Sequence, residues 1–120
     1  MRVGIGFDVH RLTTGSSLVL GGVNIPFEKC LVGHSDGDVL IHAVIDALLG
    51  AVALGDIGVH FPSNDQKYKD ANSLLLVGQV RCLLERHGWK CSNLDATIMA
   101  ERPVLGPYLN SMRSNIAGEL

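Results

Sequence analysis

From Asp36 to Leu54 the chain is almost entirely Val, Leu, Ile, Ala and Gly, broken at intervals of four by Asp38, His42 and Asp46. So apolar a stretch predicts a helix buried on most sides. Ser35, three residues ahead of Asp38, reads as a capping-box start, and Gly55 reads as the stop. A spacing of four places the three polar side chains in one stripe down an apolar cylinder. A buried carboxylate costs several kcal/mol unless it is paired or liganded. Any fold containing this helix must therefore satisfy the stripe, either with a shared ligand or with hydrogen bonds around a core histidine flanked by aspartates.

A second cluster supplies what a ligand would need. Val3-Gly4-Ile5-Gly6-Phe7 reads as a strand running into Asp8-Val9-His10. If the extended backbone persists, Asp8 and His10 share one face. Asp8, His10 and His42 together offer one carboxylate and two imidazoles, a donor set that suits a divalent metal with a position left open. A ligating histidine donates its other ring N–H to a carboxylate or carbonyl, so either Asp38 or Asp46 would serve as partner to His42. The sequence does not say which nitrogen faces the metal. Gly33-His34-Ser35 stands at the start of the same helix, where free backbone N–H groups attract anions. Asp56, between Gly55 and Ile57, reads equally as a substrate-facing carboxylate or a turn former. His60 and His87 read as surface or turn residues. Gly4-x-Gly6 is not a dinucleotide fingerprint, because Val9 stands where the third glycine is required.

The remaining composition narrows the class. The 120 residues predict one domain over 1–120, with 47% apolar and 18% charged residues marking a globular chain. Only 5% is aromatic, so the core must be aliphatic. A net charge of −2 without a basic patch excludes a nucleic-acid partner. Cys30, Cys82 and Cys91 form no metal-spaced pair, and their odd number argues against a disulfide framework. No secretory signal and no membrane-length apolar run is found, which predicts a soluble cytoplasmic protein. Strands are expected at 2–8 and 93–101, and a hairpin turning at Gly21-Gly22 with Pro26 ending its second arm. Helices are expected at 71–87 and from Leu109 through Met112, Ile116 and Leu120. The segment 55–65 reads as loop.

Gly6-Phe7-Asp8-Val9-His10-Arg11-Leu12, Leu20-Gly21-Gly22-Val23-x-Ile25-Pro26, Gly33-His34-Ser35-Asp36-Gly37-Asp38-Val39, His42-Ala43, Asp46-Ala47-Leu48-Leu49-Gly50-Ala51 and Gly55-Asp56-Ile57-Gly58-x-His60-Phe61-Pro62 occur in order. Ser73-x-Leu75-Leu76, Asn93-x-Asp95-x-Thr97-Ile98 and Pro103-x-x-x-Pro107 follow. Taken together they resemble the 2-C-methyl-D-erythritol 2,4-cyclodiphosphate synthases of non-mevalonate isoprenoid synthesis. The resemblance implies an α/β (α+β) subunit, a mixed sheet packed on one side by helices, with sheets facing the threefold axis of a homotrimer. It implies a phosphorylated cytidine-diphosphate sugar-alcohol substrate whose second phosphate attacks the diphosphate phosphorus nearer the sugar alcohol, closing a ring and expelling CMP.

Site roles follow from the same resemblance. Asp8, His10 and His42 would hold zinc, and a magnesium or manganese ion would accompany the substrate phosphates. His34 matches a transition-state stabiliser, and Ser35 helps hold phosphate beside Asp8, Val9 and His10. Asp56, Ile57 and Gly58 would line the methylerythritol site, with Phe61, Pro62, Ser63, Asn64 and Asp65 continuing its wall. Ala100, Glu101, Arg102, Pro103, Val104, Leu105 and Gly106 match the segment that cradles cytosine, supplied by the adjacent subunit.

Two departures are visible. Val104 stands where the family commonly has a lysine, so one polar contact to the nucleotide is not expected here. The family also continues past the last helix into a strand, a phosphate loop and a final strand, and their absence predicts that a 120-residue chain is impaired in cyclisation. Two rival readings go with the donor set: a shortened chain that binds zinc and nucleotide without turnover, and a non-haem iron oxygenase. If the source is a plant or alga, a removed transit peptide would place the protein in the plastid stroma.

Overall fold

The computed structural model describes residues 1–120. Two antiparallel ladders come early in the chain: β1 (Leu12–Thr14) pairs with β4 (Lys29–Leu31) around an inner hairpin of β2 (Ser17–Leu20) and β3 (Val23–Pro26). Gly21 and Gly22 make the hairpin turn as expected, both in the left-handed region at φ +56° and +72°, where a residue with a Cβ is strained. The outer ladder has no sequence signature, being three residues long and fully exposed along β1.

The apolar segment forms α1 (Val39–Ala51), shorter at both ends than the expected helix. Its N-cap is Asp38, whose Oδ1 accepts the Ile41 N–H at 3.1 Å. Ser35 is therefore not a cap, because the helix begins one turn later than the capping-box pattern suggested. A short helix, α2 (Ile57–His60), lies inside the stretch read as loop, capped by Asp56 accepting the Val59 N–H at 3.0 Å. α3 (Ser73–Arg86) and α4 (Leu109–Glu119) fall close to their expected bounds.

Ile41, Ile45 and Leu49 of α1 are fully buried, together with Ile25 of the hairpin and Val77 of α3. Met112 and Ile116 close the core from α4. Every buried apolar side chain is aliphatic or methionine, as the low aromatic content requires. Each fully buried side chain of this kind contributes about 1.5–3 kcal/mol.

The α+β class holds, but the strand content differs from expectation. Residues 2–8 and 93–101 make no backbone ladder. The first segment still shows a period of two. Gly4 and Gly6 lie against α1, where a Cβ on either would overlap the Ala47 or Ala43 carbonyl oxygen. Val3, Ile5, Phe7 and Val9 alternate with them and are exposed. The second segment packs Leu94 and Ile98 on the core and exposes Met99. Both line a groove of about 740 Å³, so the two backbones do not pair. Alternation specifies faces; a ladder also needs an adjacent partner edge.

Candidate metal and phosphate site

The glycine contacts set the site's position. With Gly6 pressed on the Ala43 turn, the chain delivers Asp8 and His10 over the first turns of α1, where His42 is already buried. Asp8 Oδ2 stands 2.8 Å from His10 Nε2 and 3.4 Å from His42 Nδ1. The two histidine nitrogens are 3.4 Å apart. Donors at about 2.0–2.1 Å from a tetrahedral zinc lie about 3.3–3.4 Å from each other; the two sides that meet at His42 Nδ1 match this spacing, and the Asp8–His10 side, at 2.8 Å, is shorter than the ion would set it.

The hydrogen bonds around the triangle decide its chemistry. His10 Nδ1–H donates to the Gly37 carbonyl at 3.1 Å, which leaves Nε2 as a lone pair. His42 turns Nε2 toward Ser35 Oγ at 2.9 Å and Ser73 Oγ at 3.0 Å. Its Nδ1 thereby faces Asp8 and His10. Three potential ligand atoms, one each from Asp8, His10 and His42, lie together here, an arrangement that suits a cation. Burial lowers the His42 pKa, with the neighbouring His10 adding to the effect, so the ring stays neutral as a ligand must.

The Asp38 and Asp46 carboxylates do not meet the His42 ring, contrary to the expected pairing. Asp38 holds the hairpin turn instead, accepting the Gly21 N–H at 3.0 Å and the Gly22 N–H at 2.7 Å alongside its cap bond. Burial pushes its carboxyl up to about 6 even though these three donors pull it down. Asp46 accepts the Ile57 N–H at 2.8 Å and so fixes the start of α2. A spacing of four placed the residues on the helix but left their partners open, because those partners come from distant segments.

Beside the triangle, His34 Nε2–H donates to the Asp65 carbonyl at 2.8 Å. The Asp70 N–H donates to the His34 carbonyl, also at 2.8 Å. His34 is thereby tied to the 61–65 segment, whose Phe61 packs edge-on against Tyr68 at 5.3 Å between centroids. Asp8, Val9, His10, Ala100, Glu101 and Arg102 border the 740 Å³ groove. Pro103 to Gly106 lead onward into the turn before α4, with Val104 exposed. Arg102 reaches Glu28 at 3.8 Å on the open surface, a pair worth little.

Two polar residues in contact with the site were missed. Ser73 is fully buried, and Asp36 accepts its O–H at 2.5 Å and its N–H at 2.9 Å. Asp36 lies within the histidine-rich segment and was readable as a candidate. Ser73 is a helix-start serine 31 residues from its histidine, and nothing local marks it.

A model of the YgbB family matches residues 1–120. The chain belongs to the YgbB family. A 2-C-methyl-D-erythritol 2,4-cyclodiphosphate synthase of Syntrophomonas wolfei is 60% identical over 117 residues, covering 98% of this chain and 74% of that relative. The one from Clostridium perfringens is 57% identical over 120 residues, all of this chain and 77% of that one. Among solved structures, the bifunctional IspDF of Campylobacter jejuni superposes with a TM-score of 0.93 at 44% identity. That match covers 99% of this chain and 32% of the larger protein. A synthase in its CDP-bound form gives a TM-score of 0.82 at 34% identity, covering 98% and 79% of the respective chains. This YgbB chain thus carries Asp8, His10 and His42 on a backbone shared with nucleotide-binding relatives.

Proposed function

We propose that this chain is a metal-dependent phosphorus–oxygen lyase that converts 4-diphosphocytidyl-2-C-methyl-D-erythritol 2-phosphate to 2-C-methyl-D-erythritol 2,4-cyclodiphosphate and CMP. The carrying observation is the convergence of Asp8 Oδ2, His10 Nε2 and His42 Nδ1 beside His34 and Ser35. The CDP-bound form of a relative supports a cytidine nucleotide as ligand.

Asp8, His10 and His42 would hold zinc, which when bound supplies positive charge to diphosphate oxygens. A second, oxygen-preferring ion such as magnesium or manganese accompanies the phosphates. The reaction joins an oxygen of the 2-phosphate to the diphosphate phosphorus nearer the methylerythritol. The bond from that phosphorus to the CMP oxygen breaks, and CMP leaves with the electron pair. Catalysis here is mostly positioning and charge stabilisation, because an anion attacks an anion.

His34 suits that task. Its Nε2–H is committed to the Asp65 carbonyl, so the ring is fixed and Nδ1 is free. In the imidazolium form that nitrogen donates to a phosphate oxygen on which charge develops. Asp56, Ile57 and Gly58 form the methylerythritol side, held by the Asp46 bond to Ile57, and residues 61–65 continue it. Residues 100–106 take the cytosine of a neighbouring subunit. The exposed row Val3, Ile5, Phe7 and Val9 supports a homotrimer with this face inward, since an apolar patch of that kind marks an interface. No helix is long and apolar enough to cross a membrane, and a cytoplasmic site of action accords with this.

The test is CMP release from this substrate by zinc-loaded protein expressed from its complete reading frame, with the cyclic product followed by phosphorus NMR. Formation of both products is expected. Their absence with zinc bound would overturn the reading.

A further inference from the structure

His42 has two ring nitrogens, and only one can present a lone pair to a metal while the other carries the proton. The groups behind the ring determine which. Asp36 is the outermost of them. Its Oδ1 accepts the Ser73 O–H at 2.5 Å, and its Oδ2 accepts the Ser73 N–H at 2.9 Å. Oδ1 also accepts the Asp38 N–H at 3.0 Å, and the Asp36 N–H donates to the Ala71 carbonyl at 3.1 Å. The carboxylate is therefore anchored between the start of α1 and the start of α3.

A serine hydroxyl has one proton. With that proton committed to Asp36, Ser73 Oγ meets His42 Nε2 at 3.0 Å as an acceptor only. Nε2 must then be the protonated nitrogen, or two lone pairs would face each other in a buried site. Nδ1 is left bare, directed at Asp8 Oδ2 and His10 Nε2, each 3.4 Å away. Ser35 Oγ, 2.9 Å from Nε2, accepts from the same N–H, and its own O–H donates to Ser73 Oγ at 3.4 Å.

We propose that Asp36 and Ser73 are positioning residues that fix the His42 tautomer, making Nδ1 the metal-binding nitrogen. The chain Asp36–Ser73–His42 does for this histidine what a directly bonded carboxylate does elsewhere, with a serine inserted between. It explains why a polar side chain with no exposed surface occupies the first turn of α3. The inference rests on the metal-site reading above and assigns the two residues an effect that a purely structural role would lack.

The test has two parts. In the metal-free protein, two-bond proton–nitrogen correlation spectra report the His42 tautomer directly. The Nε2–H form is expected, and a dominant Nδ1–H form would overturn the proposal. Zinc affinity is then measured by competition with a chromophoric chelator for the natural protein, His42→Ala and Ser73→Ala. Ser73→Ala keeps the backbone bond to Asp36 Oδ2, and its unfolding midpoint without metal checks that the fold persists. A 10–100-fold loss of affinity with the fold intact is expected. An affinity within twofold of the natural protein would sink the positioning role. If the natural protein binds zinc no better than His42→Ala does, the metal-site reading fails instead, and the spectra still judge the tautomer.

Discussion

Gly6 rests on Ala43 so closely that a Cβ at position 6 would overlap the Ala43 carbonyl oxygen. The contact is with helix backbone, which cannot swing aside as a flexible side chain can. Gly6→Ala should force residues 4–10 off α1 and carry Asp8 and His10 away from His42. Overpacking of this kind costs about 1–3 kcal/mol, readable as a lower urea midpoint. Zinc affinity should fall along with it. A folded Gly6→Ala protein that binds zinc as the natural one does would show that the glycine does not set the site.

Asp38 makes a prediction whose sign depends on burial. Its carboxyl is raised from 3.8 to about 6, so the native state holds this proton more tightly than the unfolded chain does. The associated stability is fully present below the unfolded value of 3.8 and is lost as the pH rises through about 6. A shift of this size corresponds to about 3 kcal/mol at most. Asp38→Asn abolishes the titration. The difference in unfolding free energy between natural and variant metal-free proteins should therefore narrow from pH 4 to pH 7. Urea unfolding at a series of pH values checks this, and a widening gap would contradict it.

The two carboxylates of the stripe show what the sequence could and could not convey. Apolar runs and a spacing of four located Asp38, His42 and Asp46 on one buried helix, since helical periodicity is a local property. The partners Gly21, Gly22 and Ile57 lie 11 or more residues away, and a local pattern carries no information about them. Ser73 was hidden for the same reason. The alternation in residues 2–8 was real, with Gly4 and Gly6 inward and Val3 and Ile5 outward, but alternation alone does not supply a partner strand. The metal trio was legible for a different reason: one carboxylate and two imidazoles form a donor set that suits a divalent metal.

Asp46 joins α1 to the segment proposed to contact the methylerythritol. Asp46→Ala leaves the Ile57 N–H without its acceptor in a part-buried position, a loss of about 0.5–1.5 kcal/mol. Asp46 contacts none of the three metal-facing atoms, so zinc affinity should hold while KM for the substrate rises. Parallel zinc titrations and CMP-release kinetics separate the two effects. Loss of zinc at an unchanged KM would place Asp46 in the metal site instead.

His34 provides the sharpest division between binding and chemistry. Its ring is tethered through Nε2 to Asp65 and is not one of the atoms converging with Asp8 Oδ2. Removing one preorganised donor to a developing oxyanion costs about 10²–10³ in kcat. His34→Ala should therefore lose about that factor in CMP release while binding zinc with unchanged stoichiometry. Because the ring also ties the 61–65 segment to the loop ahead of α1, a rise in KM is expected as a second consequence. Steady-state kinetics on protein from the complete reading frame, with zinc content measured on the same samples, resolves the two. A His34→Ala enzyme with the natural kcat would remove the imidazole from the transition state and leave Ser35 and the metal trio as the only phosphate-facing groups on this side of the site.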